Sequence, residues 1–389
     1  MSNKIAIIPL RAGSKGIPNK NKKKMLGRPL YQWALGEAIF SNLDKIYIFT
    51  DDQQIIEDIK KEYHWTDKVE VVKRSEESAI DTASTEMGML ELAMQLNYNF
   101  DIYCLIQATS PLLTREDINQ VLFKVEEEQF DSALTVVENK RFTWTKDGKS
   151  VNYDYLHRPR RQDYEGMLVE NGAFYAVKKE TYLQTKNRLG GKIGIVKMCE
   201  DSLYEIDEPS DWDIIEILLK NRELKHKKNR SEIKYLVLDV DGVFTDGRVA
   251  VTKDGELSKT FSLRDGMGIE LLRLEKVEVI VMTSENSLIV AKRMEKLKLD
   301  YVFLGVKDKY SKIEQFLLDK KIDRSNIAYI GDDINDLSNI CSCGLTFTPI
   351  DGIEKVKDCA DYILHNKGGD KAIREAIEII IRHNKIIKH

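Results

Sequence analysis

Short β-branched runs alternate with longer amphipathic stretches from the start of the chain. Ile5-Ala6-Ile7-Ile8 reads as a strand and Leu30 to Phe40 as a helix; Lys45 to Phe49 is a second strand, and Gln53 to Glu62 a second helix. Val69 to Val72 and Ile102 to Ile106 continue the series, and a helix begins near Glu86 with Ser84 as its N-cap. Parallel neighbours need a crossover long enough to hold a helix, so this alternation implies βαβ units and a mostly parallel sheet. The rhythm breaks near residue 220. Lys220 to Arg230 is basic, polar and without apolar periodicity, and it reads as a helix end running into a linker. A fresh strand, Tyr235 to Leu238, opens a second series whose later members are Val279 to Met282, Tyr301 to Phe303 and Ile327 to Ile330. The pattern predicts two α/β domains, residues 1–225 and 232–389, with no repeat between them.

Composition narrows the classes. The 389 residues are 42% hydrophobic and 32% charged, with only 7 prolines and 22 glycines, which suits globular domains and excludes collagen-like or low-complexity chains. A net charge of −4 offers no broad basic field, and the basic run near 220–230 lacks interleaved aromatics, so no nucleic-acid partner is expected. No apolar run approaches the roughly 18 residues needed to cross a bilayer. Met1-Ser2-Asn3-Lys4 meets charge too early for a secretory signal, so no membrane partner is expected either. The five cysteines (104, 199, 341, 343 and 359) are odd in number and scattered, unlike a disulfide framework or a zinc ribbon. A reducing cytoplasm is the expected compartment.

The densest chemistry lies in Leu236-Val237-Leu238-Asp239-Val240-Asp241-Gly242. Carboxylates are costly inside a buried parallel strand, so they belong where it ends, facing the crevice in which open α/β sheets bind ligands. Two hard oxygen ligands there suit Mg²⁺ beside a phosphate, and a carboxylate can itself attack phosphorus. Ile280-Val281-Met282-Thr283-Ser284 ends a second strand in hydroxyls, Lys309 precedes a helical run, and Gly331-Asp332-Asp333-Ile334-Asn335-Asp336 ends another strand in acids. Taken singly, each is an ordinary turn or surface feature. As an ordered set they resemble the haloacid dehalogenase superfamily of phosphatases over about residues 232–389. With Arg264-Asp265-Gly266-Met267-Gly268-Ile269, the set is most similar to the branch acting on 3-deoxy-octulosonate 8-phosphate and nonulosonate 9-phosphates.

The resemblance implies a capless Rossmann-like domain with Asp239 as nucleophile and Asp241 as general acid/base. It places Mg²⁺ on the Asp239 carboxylate, the Asp241 backbone carbonyl and Asp332, and puts Thr283 and Lys309 on the phosphoryl group. Asp336 would orient Lys309 or the metal shell. The chain departs from the family at Thr283-Ser284-Glu285, where relatives often carry Thr-Gly-Arg. Between Asp246 and Arg264 there is room only for a β-hairpin, Arg248 to Val251 with Lys259 to Ser262 and Asp254-Gly255 as its turn. In this branch hairpins and neighbouring subunits cover the site, which implies a homotetramer and leaves Arg264 to meet a substrate carboxylate.

After the first strand comes Leu10-Arg11-Ala12-Gly13-Ser14-Lys15-Gly16-Ile17-Pro18-Asn19-Lys20-Asn21, which is neither a Rossmann fingerprint nor a Walker loop. Gly13 and Gly16 allow close backbone approach, while Arg11, Lys15 and Lys20 bring positive charge for a triphosphate. Arg74, the Ser84 turn, Leu105-Ile106-Gln107, Arg160-Arg161, Glu170 to Tyr175 and Tyr204-Glu205-Ile206-Asp207 follow in order. This order resembles the CMP-N-acetylneuraminate synthetase family of cytidylyltransferases over about residues 4–220, with a mostly parallel nucleotidyltransferase-type sheet. The resemblance assigns Arg11, Gly13, Ser14, Lys15, Lys20, Asn21, Arg74 and Ser84 to CTP. It assigns Gln107, Arg161 and Tyr175 to the sugar acid, and Glu205 and Asp207 to Mg²⁺; the family usually has Asp where Glu205 stands.

Both resemblances converge on a bifunctional enzyme. It would remove the phosphate of a nonulosonic acid 9-phosphate and then transfer CMP from CTP to the free acid. The alternative is an active cytidylyltransferase whose C-terminal domain serves only as an oligomerisation scaffold, against which the intact Asp239, Asp241, Thr283, Lys309 and Asp332 speak.

Overall fold

A computed structural model describes residues 2–13, 16–80, 82–228, 231–253 and 255–388. It separates into two compact units, Met1–Lys23 with Pro29–Glu216, and Lys24–Arg28 with Ile217–His389. The division at Glu216 falls inside the helix Pro209–Leu224, which continues into a 3₁₀ turn over Lys225–Lys228. Asn229 and Arg230, at the end of the expected linker, lie outside the described residues.

The first unit is built on a seven-stranded sheet in the order Val69–Lys73, Lys45–Thr50, Lys4–Leu10, Ile102–Ile106, Met167–Lys178, Ser132–Asn139 and Ile193–Lys197. The first four strands are parallel, as the βαβ alternation requires. Met167–Lys178 runs antiparallel to both neighbours, an insertion that the alternation does not predict. Period-two side-chain alternation gives the sheet two buried faces. Ala6, Ile8 and Leu10 enter one cluster, while Ile5 and Ile7 enter the other. The covering helices start on polar caps. Asp52 accepts from the Gln54 and Ile55 amides ahead of Gln53–Glu62, and Ser84 accepts from the Met87 amide ahead of Thr85–Gln95.

The second unit holds a six-stranded sheet, parallel throughout, in the order Tyr301–Phe303, Glu278–Met282, Tyr235–Leu238, Ile327–Ile330, Leu345–Thr348 and Tyr362–Ile363. Tyr235–Leu238 is central, and Leu238 pairs with Val281 on one side and Ile330 on the other. All three strands therefore end at one level, and Asp239, Thr283 and Asp332 leave the sheet together. The hairpin forms from Ala250–Thr252 and Gly255–Ser258, so its second arm lies earlier than the expected Lys259–Ser262. Thr252 pairs directly with Gly255, which forces that arm to begin at the turn; Asp254 lies outside the described residues. Ser262 instead caps the helix Leu263–Leu274 through the Asp265 amide.

Candidate active sites

In the second unit, carboxylates converge around one lysine. Lys309, the first residue of the helix Lys309–Lys320, donates from Nζ to Asp239 Oδ1 at 2.6 Å and to Asp336 Oδ1 at 2.7 Å. Its side chain is only 2% exposed. Asp336 uses both oxygens. Oδ1 also accepts from Tyr329 Oη at 2.6 Å, and Oδ2 accepts from the Asp332 amide at 3.2 Å. Asp336 therefore fixes Lys309 and the Asp332 turn. Thr283 is buried at its strand end, its hydroxyl accepting from the Glu285 amide at 3.2 Å.

Asp239, Asp332 and Asp336 each offer an oxygen within 4.8 Å of the others, and Asp332 Oδ1 is buried without a hydrogen-bond partner among the described residues. Burial, followed by the Asp239, Asp336 and Asp333 carboxylates, pushes Asp332 up to about 9. Burial also raises Asp239; Lys309 pulls it back and Asp336 adds repulsion, leaving it at about 6. Lys309 is raised in turn, because its two carboxylates outweigh the burial that disfavours an ammonium. An orphaned carboxylate oxygen beside a second acid, in a site with more negative than positive groups, suits a divalent cation, which replaces the retained protons. Asp332, with its orphaned oxygen, and Asp239, held by Lys309 through Oδ1, could act as its ligands, whereas both Asp336 oxygens accept hydrogen bonds. The approach depends on Gly242. At φ +97°, a Cβ there would lie 2.0 Å from Asp332 Oδ2.

The first unit is organised differently. Arg11, Arg74 and Gln107 each follow the last residue of a parallel strand. With Asn21, Thr85 and Thr109 they line a cavity of about 210 Å³. The loop is shaped from within. Arg11 Nε donates to the Gly13 carbonyl at 2.6 Å, Asn21 Nδ2 donates to the Arg11 carbonyl at 3.1 Å, and the Ala12 amide donates to Asp51 Oδ1 at 2.9 Å. Arg74 donates to Ser78 Oγ at 3.2 Å. Lys20 donates to the Ile206 carbonyl at 2.7 Å and lies 3.6 Å from Asp207 Oδ1, whose side chain is 74% exposed. A Cβ at Gly16 would meet the Asp207 carbonyl oxygen at 2.1 Å, and one at Gly172 would meet Glu205 Oε1 at 2.2 Å and Gln107 Oε1 at 3.0 Å. The loop, Gln107 and the Glu205–Asp207 turn thus meet through glycines. Burial, then Asp207 and Glu170, raise the Glu205 carboxyl against the pull of Lys20.

The sequence matches the cytidylyltransferase family model over residues 5–236 and the haloacid dehalogenase-like hydrolase model over residues 270–377. It is 31% identical to N-acylneuraminate cytidylyltransferase A of Danio rerio across 98% of this chain and 90% of that protein. It is 35% identical to a 3-deoxy-D-manno-octulosonate 8-phosphate phosphatase of Haemophilus influenzae across 39% of this chain and 83% of that protein. The chain belongs to the N-acylneuraminate cytidylyltransferase family and carries a haloacid dehalogenase-like hydrolase domain. A solved structure, the cobalt-bound octulosonate 8-phosphate phosphatase of Haemophilus influenzae, is 34% identical over 40% of this chain and 90% of that one, with a TM-score of 0.39.

In the cytidylyltransferase region, Arg11, Asn21, Arg74 and Gln107 share the cavity, and Lys20, Glu205 and Asp207 form a second group. Ser14 and Lys15 lie outside the described residues. The Ser84 hydroxyl is engaged as the helix cap, while its neighbours Ala83 and Thr85 line the cavity. Tyr175 does not join Gln107. It is buried in the sheet core, its hydroxyl donating to Glu170 and Arg188 lying over its ring. Arg161, with a 76% exposed side chain 3.4 Å from Glu200, lines a separate cavity of about 490 Å³ with Arg141, Arg158 and Tyr204. In the hydrolase-like region, Asp239, Lys309, Asp332 and Asp336 come together and Thr283 follows the end of the neighbouring strand, whereas Arg264 is exposed on the first turn of Leu263–Leu274. Asp241 pairs with a different lysine, accepting from Lys259 Nζ at 2.6 Å. Sequence reasoning missed Thr85, Tyr329 and Lys259. Tyr329 sits inside an apolar strand and Lys259 beside an exposed hairpin, and neither position carries a local signal of chemistry.

Proposed function

We propose that the chain catalyses two consecutive reactions on a nonulosonic, sialic-type acid. The hydrolase-like domain removes phosphate from the acid's 9-phosphate, and the cytidylyltransferase domain then joins the free acid to CMP from CTP, releasing pyrophosphate. The observation that carries this reading is an intact Asp239–Lys309–Asp336–Asp332 constellation on the same chain as a cytidylyltransferase fold. A domain kept only as a scaffold has no need of a buried lysine shared by two carboxylates.

In the first reaction, Asp239 attacks phosphorus. As the bond to the sugar oxygen breaks, Asp241 gives that oxygen a proton. Water then attacks the aspartyl-phosphate, returning its proton to Asp241 and freeing Asp239. Lys309 and Thr283 orient the phosphoryl oxygens. Mg²⁺, held by the Asp239 and Asp332 carboxylates and the Asp241 backbone carbonyl, would supply positive charge against the repulsion between carboxylate and phosphate. Arg264 would contact the sugar acid, with neighbouring subunits of a homotetramer closing over the site.

In the second reaction, the anomeric hydroxyl of the free acid attacks the α-phosphorus of CTP. Arg11, Lys20, Asn21 and Arg74, with Gly13, Ser14 and Lys15, hold the nucleotide, while Gln107 holds the acid; Arg161, in its separate cavity, joins it only if its segment moves toward Gln107 on binding. Glu205 and Asp207 would hold a second Mg²⁺ beside the triphosphate. No helix among the described residues is long and apolar enough to cross a membrane, and we place both reactions in the cytoplasm.

The test incubates the full chain with CTP, Mg²⁺ and a nonulosonic acid 9-phosphate, following phosphate and CMP-sugar together. The reading requires phosphate release to precede the CMP-sugar. CMP-sugar formed without phosphate release overturns the order, and CMP transfer to the free acid with no phosphate release from any sugar-acid phosphate returns the domain to a scaffold.

A further inference from the structure

The two aspartates that follow the central strand are held by two different lysines, in parallel arrangements. Asp239 has Lys309, buried and shared with Asp336. Asp241 has Lys259, whose side chain is likewise only 2% exposed; its Nζ lies 2.6 Å from Asp241 Oδ1 and 3.3 Å from Glu256 Oε1. Glu256 sits on the Gly255–Ser258 arm of the hairpin and accepts from the hydroxyl of Ser287, the cap of the helix Leu288–Lys296. The loop carrying Lys259 is pinned just beyond by Phe261, edge-on to Phe244 at 5.7 Å. Asp241 therefore ends a chain of polar contacts that runs through the hairpin to a second helix.

Burying an ammonium is expensive unless it is paired, and both carboxylates that pair Lys259 are themselves partly exposed. Asp241 itself is about one-third exposed and precedes a glycine in a left-handed turn, so little else restrains its side chain. We infer that Lys259 is a positioning residue: it fixes the Asp241 carboxyl toward the departing sugar oxygen and ties that geometry to the hairpin. The inference rests on the phosphatase reading above. It concerns the step in which the P–O bond breaks and the leaving oxygen takes up a proton.

A leaving group that needs no proton reports whether this is right. Full-length Lys259→Met, with Mg²⁺, is compared with the unsubstituted protein on a sugar-acid 9-phosphate, an alkyl leaving group, and on p-nitrophenyl phosphate, whose phenolate departs unaided. General acid catalysis contributes about 10²–10⁴-fold, so losing its alignment should lower the single-turnover rate of leaving-group release from the sugar phosphate by about 10- to 100-fold. KM should stay within about twofold, and the single-turnover rate of p-nitrophenolate release within about threefold; steady-state kcat also contains the hydrolysis step in which Asp241 is the base, so it is not the readout. Lys259→Arg, which keeps the cation, should recover most of the loss. Equal losses on both substrates, or a change confined to KM, would overturn the inference while leaving the phosphatase reading intact. An unsubstituted protein that hydrolyses neither substrate would remove that reading instead. Should Lys259→Met fail to fold, Lys259→Arg and Glu256→Gln decide the matter. Lys259→Arg keeps the cation and should hold the ratio of the two rates near its unsubstituted value, whereas Glu256→Gln weakens the hairpin anchor of Lys259 and should shift the ratio toward p-nitrophenyl phosphate; an unchanged ratio in Glu256→Gln would count against the inference.

Discussion

The two acidic clusters of this chain solve opposite electrostatic problems. In the hydrolase-like domain, Asp239 and Asp336 are buried around a buried lysine, and one oxygen of Asp332 has no partner among the described residues. That site crowds like charges whose repulsion a bound cation would relieve. In the cytidylyltransferase domain, Asp207 is largely exposed, Lys20 leans on a backbone carbonyl, and Arg11 and Arg74 are tied to their own loops. Here the protein supplies donors around an open cavity, and the polyanion itself would bring the partners together. Pre-paired buried charge suits a covalent step at one carboxylate, and open basic loops suit a nucleotide that carries its own charge.

The widest separation of the two sites should come from Asp239→Asn. Phosphate release should fall on the order of 10⁴-fold or more, while CMP transfer to the free acid stays unchanged; a phosphate assay and a CMP-sugar assay on one preparation check both. Gly242→Ala should follow. Its Cβ would press on Asp332 Oδ2, and displacing this proposed metal ligand by about 1 Å should cost about 10²-fold in phosphatase kcat, with transferase activity again the internal reference. The reverse separation is Lys20→Ala, expected to raise KM for CTP by about tenfold with phosphate release untouched.

A gentler probe uses pH. Asp332 and Asp239 hold protons at about 9 and about 6, against 3.8 for an ordinary aspartate. Between those limits the unfolded chain binds fewer protons than the native one, so cation-free stability falls as pH rises through that window. A cation that displaces the retained protons should therefore raise the melting temperature more at pH 8 than at pH 6, as calorimetry with and without Mg²⁺ would measure. An equal gain at both values would contradict the proton-for-cation exchange. The smallest effect is expected from Ser84→Ala. Loss of a helix cap costs about 1 kcal/mol of stability, whereas KM for CTP should barely move if the hydroxyl caps the helix and does not touch the nucleotide.

Much of this was legible along the chain. β-branched runs fixed the parallel strands, because each is a buried crossover partner, and Asp239, Thr283 and Asp332 announced themselves as polar residues terminating apolar runs. Strand ends are where a parallel sheet exposes polar groups, so a local pattern is enough to find them. The pattern predicts the hairpin but sets its second arm too late in the chain. The pattern could not reveal that Lys259 turns inward to Asp241 while the turn pairs Thr252 with Gly255.

What tertiary structure alone decided is which groups share an environment. Tyr175 and Gln107 are near in the strand pairing, yet the sheet places the tyrosine ring in its core. Arg161 carries the charge expected of a carboxylate partner, yet it lies in a different cavity. Lys309, Asp336 and Tyr329 come from a helix, a 3₁₀ turn and a strand, and only their convergence leaves Asp332 with an oxygen to spare. Sequence determines where a chain can afford a polar group; burial and the distance between remote segments determine what that group's charge is worth.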